Sequence, residues 1–277
     1  MAEFLQLTSV ERLDALNVAA NASGLPPHLL EKDIWVVWAL RHLFAGPHAQ
    51  HLVFKGGTSL SKAYGVIRRF SEDVDLTYDI RAIAGDLVAG SDVPLPSSRS
   101  QEKKWSREIR VRLAGWVNTE IVPRLRDELE RHGLPATVRA EHDKVFIEYA
   151  PLVFGTGYVA PAVMLEFGAR STGEPSEPRA IRCDAAAHLQ GLEFPSATPQ
   201  SVFFAEKYKS GDLIDYHAAV SGGLQLVPRE DALAKLAADY RHMVDDGLLL
   251  VDAEPFTALL ERCRLIEQKA NAIRPPV

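Results

Sequence analysis

The sequence predicts an α/β fold in which a small mixed sheet is surrounded by helices and followed by a C-terminal helical region. Three observations carry that expectation. Leu52-Val53-Phe54 is a short apolar run that ends at a Gly-Gly pair. A helical pattern comes next, and Asp73-Val74-Asp75-Leu76 then alternates with period two. Residues 162–167, AVMLEF, form an apolar run of strand length, and residues 145–149 alternate ahead of it. On both sides of these strands, long stretches repeat their apolar residues at helical spacing. The expected division is a core over residues 1–198, with the N-terminal helices, and a helical region over residues 199–277.

Taken in order, Ser9 can cap a helix to about Ala22, with Leu13, Leu16 and Ala20 on its inner face. Gly24 and Pro26-Pro27 end it and start the next. That second helix, residues 29–44, is strongly apolar through Ile34, Val37, Trp38 and Leu43. Glu31-Lys32-Asp33 opens it, and acids in a first turn are favoured by the helix dipole when solvated. Lys55-Gly56-Gly57 breaks the first strand, Thr58 can cap a third helix, and Leu60, Ala63, Tyr64 and Ile67 keep helical spacing.

Asp73 and Asp75 then share one strand face, while Val74 and Leu76 point to the core. Two carboxylates at i and i+2, beside a glycine turn and a helix N-terminus, suit Mg²⁺ on a triphosphate. Magnesium takes oxygen ligands, usually one or two carboxylates plus substrate phosphates. Glycine lets backbone N–H groups come close to a phosphate. The plainer alternative is a turn followed by a solvated acidic strand end. A buried acidic pair with neither cation nor base nearby is costly, which weighs against that alternative.

Residues 80–100, rich in small residues, Gly and Pro, read as a long loop or flap. Residues 99–131 read as a long amphipathic helix with Trp105, Ile109, Leu113, Trp116 and Ile121 inward and a kink or break at Pro123. Its outer face carries Lys103, Lys104, Arg107, Arg110 and Arg112. Those cations are either a solvated face or a strip for RNA phosphates. Glu166 ends the second clear strand, residues 180–183 suggest a further short one, and residues 201–208, SVFFAEKY, read as a helix. Residues 229–271 read as two helices separated by Gly247 and Pro255.

Composition bounds the partners. With a formal net charge of -6 over 277 residues, the molecule as a whole repels polyanions, so any nucleic-acid site is a local patch. Cys183 and Cys263 are too few for a disulfide framework and lie in no metal-ligand spacing, which suggests a reducing compartment. No stretch reads as a membrane span, and the N-terminus lacks a signal-peptide core, so the cytoplasm is the expected location.

KGGTSLSKAYG followed by RRFSEDVDL resembles the AbiEii/AbiGii toxin family, including its MenT-like members, within the polymerase-β type of nucleotidyltransferases. The resemblance implies a polymerase-β-like nucleotidyltransferase core whose C-terminal helices close over the nucleotide. It implies an enzyme that uses an NTP with Mg²⁺ on Asp73 and Asp75, with Glu166 as the third carboxylate. Lys55, Gly56, Gly57, Thr58 and Ser71 would contact phosphates, and Lys207, which follows Glu206 as in the family, would neutralise their charge. Asp215 would fill the acidic position of a later motif, although the arginine of that motif is missing and Asp212 competes for the place. A similar EKD stands at Glu31-Lys32-Asp33 in the family. The implied acceptor is the 3′ end of tRNA, and the implied partner is a cognate antitoxin; if RNA is the acceptor, Arg107, Arg110 and Arg112 on the long helix are the candidates to bind it. Transfer onto a protein hydroxyl would use the same three acids, and a non-enzymatic nucleotide-binding scaffold is the third alternative.

Overall fold

The computed structural model describes residues 2–88, 99–171, 175–202, 223–228, 230–249 and 253–272. The chain forms two compact units, Met1–Ala205 and Glu206–Val277.

The first unit begins with helix α1, Ser9–Ser23. Its cap is Thr8 rather than Ser9. Thr8 Oγ1 accepts from the Glu11 amide at 3.3 Å, and the Thr8 amide donates to Glu11 Oε2 at 2.9 Å. This reciprocal pair satisfies two amides that the helix leaves without partners. Helix α2, Pro27–Phe44, starts two residues earlier than its apolar pattern suggests, because proline already has the backbone angle of a first helical turn.

Strand β1, Leu52–Lys55, leads into helix α3, Gly56–Lys62, and then strand β2, Asp73–Asp79. Helix α3 stops short of the expected Ile67, and Gly65 turns the chain with φ +63°. Ile80–Val88 is helical (α4), not a loop; residues 89–98 lie outside the described residues. The long helix is divided into α5, Arg99–Trp116, a π-helical turn at Val117–Ile121, and α6, Val122–Arg131. Pro123 has no N–H to donate and its ring crowds the preceding turn. The wider turn just before it accommodates both problems without a sharp break.

Strands β3 (Ala136–Glu141) and β4 (Lys144–Tyr149) form a hairpin whose tight turn places His142 at φ +57°. Strand β5 is Ala162–Ser171, and the short strands β6 (Glu177–Pro178) and β7 (Gln200–Ser201) complete the sheet. Its seven strands run in the order β3-β4-β5-β2-β1-β7-β6. The pairs β5–β2 and β1–β7 are parallel and the others antiparallel, so the sheet is mixed, as expected, though larger than small. Ser201 belongs to this sheet, opposite Phe54, and not to a helix.

Period-two alternation decides which face is the core. Val74, Leu76, Val163, Leu165, Phe167, Val145 and Ile147 are buried in one continuous cluster with Trp35, Leu40, Ile109, Leu113 and Leu125 from α2, α5 and α6. Burial of this apolar area is the main force holding the sheet to its helices. The opposite face carries Asp73, Asp75 and Glu166, all partly exposed.

The second unit contains helices α7, Glu230–Asp245, and α8, Phe256–Ala272. Gly247, at φ +71°, follows the first of them. Tyr240 donates to the Glu254 carbonyl at 2.6 Å and its ring lies 5.6 Å from that of Phe256. Among the described residues, no helix is long and apolar enough to cross a membrane.

Candidate active site

The acidic face is assembled by strand register. Asp75 pairs with Lys55 on one side and with Glu166 on the other, and Glu166 in turn pairs with Lys144. Side chains in register point the same way, so one row across the sheet reads Lys55, Asp75, Glu166, Lys144. Asp73 stands two residues from Asp75 on the same face. Glu166 lies in the middle of β5 rather than at its end, because the strand continues to Ser171.

Lys144 Nζ is 3.4 Å from Glu166 Oε2. The Asp73 carboxyl is held above its usual range, first by desolvation and then by the charges of Asp75, Glu72 and Glu166, with Lys144 opposing them. Carboxylates gathered on one strand face are oxygen donors of the kind that divalent cations such as magnesium take.

The glycine turn fits against these acids. Gly56 has φ +73°, and a Cβ there would lie 2.1 Å from Asp75 Oδ2. Only glycine satisfies both the backbone angle and the approach of the carboxylate. A Cβ at Gly57 would meet Ser71 Oγ at 3.1 Å and Arg69 Nη2 at 3.2 Å, so Ser71 and Arg69 flank the turn. Thr58 does not cap its helix. Its hydroxyl donates to the Asp73 carbonyl and ties α3 to the start of β2. Lys55 is buried at the end of β1.

The charges that open α2 are not solvated. Glu31, Lys32 and Asp33 are each at most 2% exposed. Lys32 Nζ donates to Glu72 Oε2 at 3.3 Å and to the Ala160 carbonyl at 3.1 Å, next to the Asp73 segment. Glu31 Oε2 accepts from the Leu152 amide at 2.9 Å. Asp33 accepts from the Asp184 amide at 2.7 Å and pairs with Lys62 Nζ at 2.5 Å, and Lys62 also reaches Asp184 at 2.8 Å. Burial alone would lower the Lys62 pKa, but the carboxylates of Asp33 and Asp184 outweigh it and raise it. This network fixes α2 against α3 and the 183–187 turn.

Arg107 and Arg110 are exposed on α5. Arg112 differs from them: it binds both oxygens of Asp86 and also Glu108 Oε1, the latter at 2.8 Å. Lys207, Asp212 and Asp215 lie outside the described residues. A cavity of about 580 Å³ opens at the far end of β2, lined by His48, His51, Tyr78, Asp79 and Arg81. It is remote from Asp73 and Asp75 along the strand, and its Asp79 and Arg81 already bind one another.

Two residues of the site escaped sequence reasoning. Lys144 had no local signal, because only the β4–β5 pairing sets it beside Glu166. Arg69 stands in the RRFSEDVDL stretch, but its place beside Gly57 depends on how the chain returns after α3.

The family model described as "Nucleotidyl transferase AbiEii toxin, Type IV TA system" matches residues 38–210, more than half of the chain. No curated protein matches the sequence. Among solved structures the chain is similar to MenT4, a nucleotidyltransferase toxin from Mycobacterium tuberculosis H37Rv. The two are 18% identical with a TM-score of 0.40, over 96% of this chain and 94% of that one, a likeness too slight to argue from.

Proposed function

The chain belongs to the AbiEii family of nucleotidyltransferase toxins of type IV toxin–antitoxin systems, and from that premise we propose that it moves a nucleotide from an NTP to the 3′ end of a tRNA, with Mg²⁺ at Asp73, Asp75 and Glu166. One observation supports this reading above the others: Asp75 and Glu166 stand in register on adjacent parallel strands, with Asp73 on the same face. These residues are hard oxygen donors with excess negative charge, which is the donor set magnesium prefers. Bound there, the ion would neutralise the triphosphate and stabilise the attacking and leaving oxygens.

The chain's own groups do the rest. Backbone amides at Gly56, Gly57 and Thr58, with the side chains of Lys55 and Ser71, hold the phosphates. The acceptor hydroxyl oxygen forms a bond to the α-phosphorus while the bond from that phosphorus to the α,β-bridging oxygen breaks, and pyrophosphate leaves. Glu166 either completes the metal site or takes the hydroxyl proton. Lys207 neutralises charge on the departing phosphates, and Asp215 fills the C-terminal acidic position. Arg107 and Arg110 bind RNA phosphates, with less from Arg112, which Asp86 and Glu108 already engage. The partner is a cognate antitoxin, which relieves the growth arrest that the activity causes.

The pairing of Arg112 narrows the cationic strip and so favours one second reading, transfer onto a protein hydroxyl. Incubation with each α-³²P NTP, total RNA and Mg²⁺ separates the two. Label on tRNA that disappears with chelator is the expected result. Label on protein alone would replace the RNA reading, and no transfer from any NTP would overturn the enzyme assignment.

A further inference from the structure

Away from the carboxylate row, two imidazoles and a carboxylate converge where α2 and α6 end. His42 lies in the last turn of α2. Glu128 and His132 stand at i and i+4 across the end of α6, which places them on one helix face. A ligand atom from each of the three lies within 4.8 Å of the other two. His42 Nδ1 is 3.3 Å from Glu128 Oε2, and His132 Nδ1 is 3.9 Å from the same oxygen. Around a tetrahedral zinc with bonds of about 2.0–2.2 Å, ligand atoms sit roughly 3.3 Å apart. The first separation already matches; on His132, whose Nδ1 is engaged by a backbone carbonyl, Nε2 is the nitrogen left for an ion, and the ring is only partly buried.

The surroundings prepare these groups as ligands. Burial lowers the His42 pKa to about 4 against the opposing charge of Glu128, so the ring is neutral and offers a lone pair at neutral pH. Trp38 packs on it at 4.6 Å between ring centroids, and Arg124, in the first turn of α6, donates to the His42 carbonyl at 3.0 Å and ties the start of α6 to the end of α2. His132 Nδ1 stands 2.9 Å from the Glu128 carbonyl. A hydrogen bond of that kind commonly orients a metal-ligating imidazole and leaves its other nitrogen for the ion. Arg131 holds Glu128 at 2.7 and 2.8 Å from an exposed position, so it can stay on Oε1 while Oε2 turns to the imidazoles. A cavity of about 30 Å³ adjoins the two rings, room enough for a water as fourth ligand.

We propose that His42, Glu128 and His132 bind one divalent ion of the zinc type, completed by water, which clamps the ends of α2 and α6. Two nitrogens and one oxygen select imidazole-preferring transition metals over magnesium. The site is separate from the nucleotide site. Lys32, which touches Glu72, precedes His42 by ten residues on the same helix, about 15 Å along its axis. The competing explanation is an ion-paired helix end that binds no metal.

Titration of the full chain with Co²⁺, followed by visible absorption, tests the proposal. The expected result is one equivalent bound with d–d bands that Zn²⁺ abolishes and Mg²⁺ does not, and a melting temperature raised by Zn²⁺. His132→Gln, at a partly exposed position that the fold tolerates, should weaken Co²⁺ binding at least about tenfold and remove the thermal shift. Asp73→Asn should leave both intact. Absence of bands in the wild type, equal bands in His132→Gln, or loss of the bands in Asp73→Asn would each overturn the assignment, the last by returning the ion to the carboxylate row.

Discussion

The molecule contains two groups of ionisable side chains close to one another, and they are built on opposite principles. In the Glu31–Lys32–Asp33 region the side chains are buried: Lys62 lies between Asp33 and Asp184, Lys32 lies against Glu72, and Glu31 is held by the Leu152 amide. On the neighbouring sheet face, Asp73, Asp75 and Glu166 are partly exposed and stand close together, and desolvation, then the charges of its acidic neighbours, raise the pKa of Asp73. A buried, paired network resists change because removing one partner strands the other in a poor solvent for charge. An open cluster of acids suits a cation. Burial and pairing thus separate the acids that serve the fold from those proposed to serve a ligand, although all of them stand within one small region of the first unit.

The largest expected effect falls on the open cluster. Asp75→Asn should reduce nucleotide transfer by about 10²–10³-fold or more, while the melting temperature stays level or rises because a like charge has gone. Gly56→Ala should match that loss of activity, since the new Cβ occupies the position of the Asp75 carboxylate. Turnover at the wild-type rate in Asp75→Asn would erase the distinction between the two groups.

The paired network should respond in the opposite sense. Lys62→Ala leaves the Asp33 carboxylate buried without its cation and should lower stability by about 3–5 kcal/mol, read by denaturant unfolding. A variant that unfolds at the wild-type midpoint would show the network to be ornamental to the fold.

Glu31 provides a pH signature of the buried group. Burial raises its pKa from 4.5 to about 7, against hydrogen bonds from Leu152 and Val153 and the charge of Arg12. The native state therefore binds more protons than the unfolded chain between those values, so stability falls as the pH rises from 4.5 to about 7. The total is about 3 kcal/mol at 1.36 kcal/mol per pKa unit. Glu31→Gln should flatten that slope, and unfolding curves collected across the window would reveal it. An unchanged slope would mean that another group titrates there.

The smallest effect concerns the cations of α5. Reversing Arg107 and Arg110 together should weaken RNA binding and reduce its log–log salt slope by roughly 0.7–0.9 per lost contact. Arg112→Glu should change that slope less, because Asp86 and Glu108 already hold the wild-type guanidinium. Identical salt curves for all three proteins would remove this helix from the RNA site.

Strands β1, β2, β4 and β5, most helices and the pair Asp73–Asp75 were legible in the amino-acid order, because they depend on periodicity within a few residues, whereas β3, β6 and β7 were not. Two side chains at i and i+2 of a strand share a face whatever the rest of the chain does. The Gly-Gly turn was legible for the same reason. Other features exist only once the chain has folded. Glu166 meets Asp75 only through parallel pairing of β2 with a strand some ninety residues later, and Lys144 joins them only through the next pairing. The burial of Glu31, Lys32 and Asp33 was equally invisible, since charges in a first turn look the same whether the turn faces water or packs against Glu72, Leu152 and Asp184. Thr58 illustrates the limit at one residue: its place near a helix start suggests a cap, yet the partner its hydroxyl finds belongs to another strand. Local pattern fixes which way a side chain points from its own backbone, but what it meets there is set by long-range pairing and burial, and neither leaves a mark within a short window of sequence.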